Sequence, residues 1–123
     1  MKIFIAEDEK PLAEALKLKF ESEKYEVRVA HDGETALVEI KSFNPDIILL
    51  DILMPKKTGY EVLQELKADN NFKHIPVIML SNLDSDEDIK RSFSLGAVDY
   101  FVKSNHPLKE VIEKINEHAL RAK

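Results

Sequence analysis

The sequence predicts a three-layer α/β sandwich, a parallel five-stranded sheet covered by helices on both faces. Five short apolar runs, most of them rich in β-branched or aromatic residues, alternate with segments of helical spacing. Strands separated by helices form βαβ units with right-handed crossovers, which close into a parallel sheet. Two of the runs are apolar almost throughout, as central strands of such a sheet are, whereas another alternates like an edge strand.

The first run is KIFIA, Lys2 to Ala6, and the helical pattern behind it sets Leu12, Leu16 and Phe20 four residues apart. YEVRVA, Tyr25 to Ala30, is the alternating run, with Tyr25, Val27 and Val29 opposed to Glu26 and Arg28. Ala36, Leu37 and Ile40 mark the second helix, and DIILLD, Asp46 to Asp51, the third strand. Val62, Leu63 and Leu66 form the next stripe, followed by IPVIMLS, Ile75 to Ser81. Ser85 and Asp88 make a capping-box pattern that opens a fourth helix whose large apolar residues are only Ile89 and Phe93. Such thin anchoring predicts a weakly held element. VDYFVK, Val98 to Lys103, is the fifth strand, and Leu108, Val111, Ile112 and Ile115 form the most regular stripe. Gly33, Gly59 and Gly96 fall at junctions. Residues 1–123 are expected to form one domain, since neither repeat nor linker-like stretch divides them.

Composition removes several classes of function. The absence of cysteine excludes disulfides, thiolate nucleophiles and sulfur-ligated metals. A formal charge of −5 argues against direct nucleic-acid contact. No apolar run approaches the roughly 20 residues that span a bilayer, and MKIFIAEDE turns acidic too early for a signal peptide. A cytoplasmic domain is the expectation.

Asp51 is the anomaly. It sits between IILL and ILM, where an unpaired carboxylate costs several kcal/mol to desolvate. Its neighbours at other strand ends resolve the difficulty. KIFIA runs into Glu7 and Asp8, IPVIML into Ser81, and VDYFV into Lys103. In a parallel sheet all carboxyl ends share one edge, where ligands bind. Crowded carboxylates suit a hard divalent ion that shares its sphere with phosphate oxygens. A lysine and a hydroxyl opposite would grip a phosphoryl group, leaving one carboxylate as nucleophile. Singly these residues read as a helix start, a cap and a solvated lysine; together they make a constellation.

AEDE, DIILLDILMPKKTGYEVL, IPVIMLSN and LGAVDYFVK, in that order over essentially the whole chain, resemble the receiver domain of two-component response regulators. The resemblance implies a flavodoxin-like fold of strand order 2-1-3-4-5 and a phosphoacceptor switch rather than a conventional enzyme. It implies that Asp51 is the phosphorylated residue and Asp8 a direct ligand of Mg²⁺ (or Mn²⁺). Glu7 would act mainly through water and Leu53 through its backbone carbonyl. Ser81 matches the switch hydroxyl, Tyr100 the switch aromatic that swings inward, and Lys103 the phosphoryl-pairing lysine. Leu53 and Leu83 fall where the family tunes dephosphorylation; both are apolar, which predicts a long-lived phosphoryl state. A sensor histidine kinase or phosphotransfer protein would be the donor. A downstream protein or output domain would read the surface of the fourth helix, fifth strand and fifth helix, in a monomer or a phosphorylation-dependent dimer. A stand-alone receiver and one cut from a longer regulator both fit a chain ending in HALRAK.

One departure stands out. The family usually places proline after the lysine, joined by a cis bond; here Ser104 follows Lys103, so a trans bond is expected. Three rivals fare worse. A flavin-binding electron carrier needs a phosphate loop where this chain has AEDEK, and tryptophan is absent. An aspartyl phosphatase wants a second acid at Leu53. A pseudo-receiver would not need the full set of acids, Ser81 and Lys103.

Overall fold

The computed structural model describes residues 1–121, so 122 and 123 of the expected domain lie outside it. Ten elements alternate: β1 (Lys2–Ala6), α1 (Lys10–Ser22), β2 (Glu26–Ala30), α2 (Gly33–Phe43), β3 (Ile47–Leu50), α3 (Gly59–Ala68), β4 (Val77–Ser81), α4 (Asp86–Ser94), β5 (Asp99–Val102) and α5 (Leu108–Arg121). All strand pairs are parallel, in the order β2-β1-β3-β4-β5. Chain direction reverses its lateral course between β1 and β3, which opens a crevice at the carboxyl ends there.

Every described strand begins within two residues of its expected start. β3 and β4 are buried on both faces, and β2 at the edge exposes alternate residues. The period of two sorts the side chains into two cores. Ile3, Ile5, Leu49 and Ile78 face Leu16 and Phe20 of α1 and Val111, Ile112 and Ile115 of α5. Phe4, Leu50, Val77 and Met79 face Ala36 and Ile40 of α2 and Val62, Leu63 and Leu66 of α3.

The helices start where local chemistry dictates. Thr58 and Glu61 form a reciprocal capping box on α3, Asp32 caps α2, and the Ser85 side chain accepts from Asp88 N at the head of α4. Gly59 has no room for a side chain, since a Cβ would lie 2.2 Å from the carbonyl oxygen of Asp51. Gly96 adopts φ of 109°, the left-handed turn that ends α4.

Against expectation, Phe93 does not anchor α4. It is 46% exposed; Ser92 is the buried residue of that helix, with Ile89 half-buried against the core. Polar attachments described below add to the hold of Ile89 on this helix.

Candidate functional site

Glu7, Asp51, Ser81 and Lys103 stand at or one residue beyond a strand end, with their backbone still held by the neighbouring strand, and Asp8 follows Glu7. Glu7 N donates to Ala30 O (3.0 Å), Asp51 N to Ala6 O (2.9 Å) and Lys103 N to Ser81 O (2.9 Å). The ladder therefore fixes where these side chains leave the sheet, before any side-chain contact forms. Asp51 is thus not buried mid-strand; it opens onto the rim, only 4% exposed.

Lys103 ties the acids together. Its Nζ donates to Asp51 Oδ2 (3.1 Å), Glu7 Oε2 (3.0 Å) and Glu9 Oε2 (2.5 Å). Glu7 Oε1 is also 2.9 Å from Nζ, but it is not aligned to accept and stays buried without a donor. One oxygen from each of Glu7, Asp8 and Asp51 lies within 4.8 Å of the others. Asp8, Glu9, Asp51, Leu53, Ser81, Asn82 and Lys103 line a shallow cleft of about 190 Å³.

Electrostatics match this crowding. Burial pushes the Glu7 carboxyl up to about 8, and the charge of Asp51 adds to the rise, against the pull of Lys103. Burial likewise raises Asp51, with Lys103 opposing. The surrounding carboxylates raise Lys103 in spite of its burial. So three carboxyl groups share one ammonium, and once ionised they carry more negative charge than it can neutralise. A hard divalent cation fits: the donors are all oxygen, they converge, and one of them is an orphaned buried atom.

The remaining expected residues also converge. Ser81 is wholly buried, and its Oγ accepts from Leu83 N at 3.3 Å. Tyr100 faces inward, 8% exposed, its hydroxyl donating to Leu83 O at 2.5 Å. Leu53 is 55% exposed on the rim, whereas Leu83 packs half-buried on the core. No cis peptide occurs among the described residues, so Lys103–Ser104 is trans, as the absence of proline predicts.

Sequence reasoning missed Glu9. The acid stands in the same AEDE run and reads as part of a helix start. It does occupy the N-cap position of α1, but its side chain caps no N–H, and its carboxylate accepts from Lys103. A larger cleft of about 540 Å³ lies at the amino ends of the strands, lined by Asp46, His74, Val98 and His118. Its His118 is already engaged by Asp99 at 2.9 Å, and it gathers no cluster of three possible metal ligands, so the chemistry belongs to the rim.

The family model of the response regulator receiver domain matches residues 3–116. This chain belongs to that family. The receiver domain of the Francisella response regulator 1452 is 36% identical, superposes with a TM-score of 0.91, and is matched over 99% of this chain and 98% of that one. The BeF3-activated N-terminal receiver domain of Klebsiella pneumoniae RstA is 27% identical, with a TM-score of 0.86 over 97% and 98% of the two chains. The Mn²⁺-bound form of response regulator Rcp1 is 29% identical, with a TM-score of 0.80 over 94% and 89%. The chain is therefore a receiver domain of two-component signalling, a switch module with an acidic pocket of Glu7, Asp8 and Asp51. No described helix is long and apolar enough to cross a membrane.

Proposed function

We propose that this receiver accepts a phosphoryl group onto Asp51 from the phosphohistidine of a sensor histidine kinase or phosphotransfer protein. The carrying observation is that Asp51 opens onto a cleft shared with Lys103, 3.1 Å away, and with the oxygens of Glu7 and Asp8. A carboxylate oxygen of Asp51 attacks phosphorus, the P–N bond breaks, and the imidazole nitrogen leaves with the bond's electron pair and takes a proton. Lys103 holds phosphoryl oxygens as charge accumulates on them, and the Ser81 hydroxyl donates to another. Glu7, Asp8, Asp51 and the backbone carbonyl of Leu53 would hold Mg²⁺ (or Mn²⁺), which would neutralise phosphoryl charge when bound. The Mn²⁺-bound relative and the BeF3-activated relative support both halves of this reading.

The signal leaves through packing. Ser81 and Tyr100 meet at Leu83, and the α4-β5-α5 surface selects the downstream protein or output domain according to which packing the phosphoryl dianion favours. The protein acts in the cytoplasm as a phosphoacceptor switch that catalyses only its own phosphorylation and slow dephosphorylation, a monomer or phosphorylation-dependent dimer without direct nucleic-acid contact. Leu53 and Leu83 offer no side-chain hydrogen bond to an attacking water, so the phosphoryl state is long-lived. Incubation with acetyl phosphate and Mg²⁺ tests the reading. The intact protein gains the mass of one phosphoryl group, the gain vanishes with chelator, and Asp51→Asn stays unmodified. A gain that persists in Asp51→Asn defeats the proposal.

A further inference from the structure

Phosphorylation accounts for Ser81 and Tyr100 but leaves Tyr60 unexplained. This tyrosine is the second residue of α3, only 6% exposed, and its hydroxyl donates to Asp88 Oδ1 of α4 at 2.8 Å. The same hydroxyl lies 3.3 Å from Asp88 O, which also accepts from Ser92 Oγ at 3.0 Å. Arg91 covers the ring, 4.1 Å from its centroid. Two side chains and one backbone carbonyl of α4 thus close on a single residue of α3. Little apolar burial holds that helix, because Phe93 is 46% exposed and Ile89 and Leu95 are only half-buried on the core.

The foot of this attachment is the phosphoacceptor segment itself. Gly59, immediately before Tyr60, donates its N–H to Ile52 O at 2.7 Å and packs its Cα against the carbonyl of Asp51. Tyr60 therefore rises from backbone that touches the residue to be modified, and reaches the helix that transmits the signal. On the other side of α4's approach, the Tyr100 hydroxyl holds Leu83 O. The β4–α4 loop and the head of α4 are gripped by two tyrosine hydroxyls, one from β5 and one from α3.

The geometry points to Tyr60 as a positioning residue of the switch: its bond to Asp88 clasps α4 in the arrangement with Tyr100 inward, the arrangement that a phosphoryl group on Asp51 favours. The inference rests on the function proposed above, because only a phosphoryl-bearing Asp51 gives that arrangement a ligand. Linkage then fixes the sign. A bond present in the ligand-favoured packing and absent from its alternative raises apparent affinity for the ligand, and removing it lowers that affinity by at most the factor the bond contributes.

Tyr60→Phe keeps the ring beneath Arg91 and removes only the hydroxyl. Two readouts follow, with beryllofluoride plus Mg²⁺ as the phosphoryl mimic. Without any ligand, amide hydrogen exchange across Asp86 to Leu95 speeds up about tenfold, the size expected for losing a hydrogen bond to a charged group, while α5 is unchanged. With the mimic, half-saturation moves about two- to tenfold higher than in wild type, never by more than the factor seen in exchange. Unchanged exchange in α4, or an equal rise in every helix, overturns the clasp. Faster exchange with unchanged half-saturation overturns its coupling to the site. If wild type ignores the mimic and acetyl phosphate alike, the phosphoacceptor reading and the coupling fall together, and the exchange result still decides whether Tyr60 holds α4.

Discussion

Helices α4 and α5 flank the same strand, β5, yet are held by different physics. α5 buries Val111, Ile112, Ile115 and Ala119 against the sheet. α4 buries only Ser92 and is held by hydroxyls, a cap and an arginine over a ring. Apolar burial is non-directional and adds up over the whole stripe, so α5 has one place to sit. Polar bonds net about 1 kcal/mol each and can be exchanged for others nearby, so α4 is the cheaper element to move. In this receiver domain the weakly anchored helix follows the loop where the Ser81 and Tyr100 hydroxyls both bond Leu83, and the well-anchored one packs on the opposite face of the sheet.

Truncation should widen that contrast most. Ile115→Ala in α5 removes a fully buried side chain and is expected to cost about 2–5 kcal/mol in denaturant unfolding. A loss under 1 kcal/mol there would deny α5 its role as the fixed partner.

The rim's charge offers the next test. In the unfolded chain Glu7 ionises near 4.5, and in the fold near 8. Between those values the folded state binds more protons, so stability falls as pH rises from about 4.5 to 8. Asp51, also raised, adds in the same direction. Thermal melting in chelator should show this decline, and Glu7→Gln should flatten it. Added Mg²⁺ should raise the melting temperature most at the upper end, where the acids are ionised.

Smaller effects belong to α4. Ser92→Ala deletes the hydroxyl bonded to Asp88 O and should cost about 1 kcal/mol, read as faster exchange in α4 rather than global unfolding. Phe93→Ala, at a solvent position, should stay within about 0.5 kcal/mol of wild type. A loss as large as that of Ile115→Ala would mean that the helix is anchored after all. Polar replacements at Leu53 and Leu83 should speed loss of the phosphoryl group, measured as the decay of the phosphorylated mass.

Much of this was legible in the chain. Strand positions followed from apolar runs, because β3 and β4 are buried on both faces and leave no polar residue to blur the signal. The rim was legible because parallel strands put all their carboxyl ends on one edge, so Glu7, Asp8, Ser81 and Lys103 needed only strand ends to be located. What escaped was contact between side chains distant in sequence. Glu9 stands at the start of α1, and nothing local says that its carboxylate reaches Lys103. Phe93 looked like an anchor from its spacing with Ile89, but it is 46% exposed, and the contacts that hold α4 include a cap and the long-range Tyr60–Asp88 bond. Tyr60 itself reads as one more core aromatic, since its partner lies 28 residues away.

The central claim is that the rim exists to place a phosphoryl group on one particular oxygen acid. Borohydride reduction after treatment with acetyl phosphate and Mg²⁺ converts an aspartyl phosphate into homoserine, which peptide mass mapping can locate. Homoserine at position 51, and at no other acid, is the predicted result. Its appearance at Glu7, Asp8 or Glu9 (as the corresponding reduced residue), or its absence from position 51 in a protein that has gained phosphoryl mass, would contradict the account.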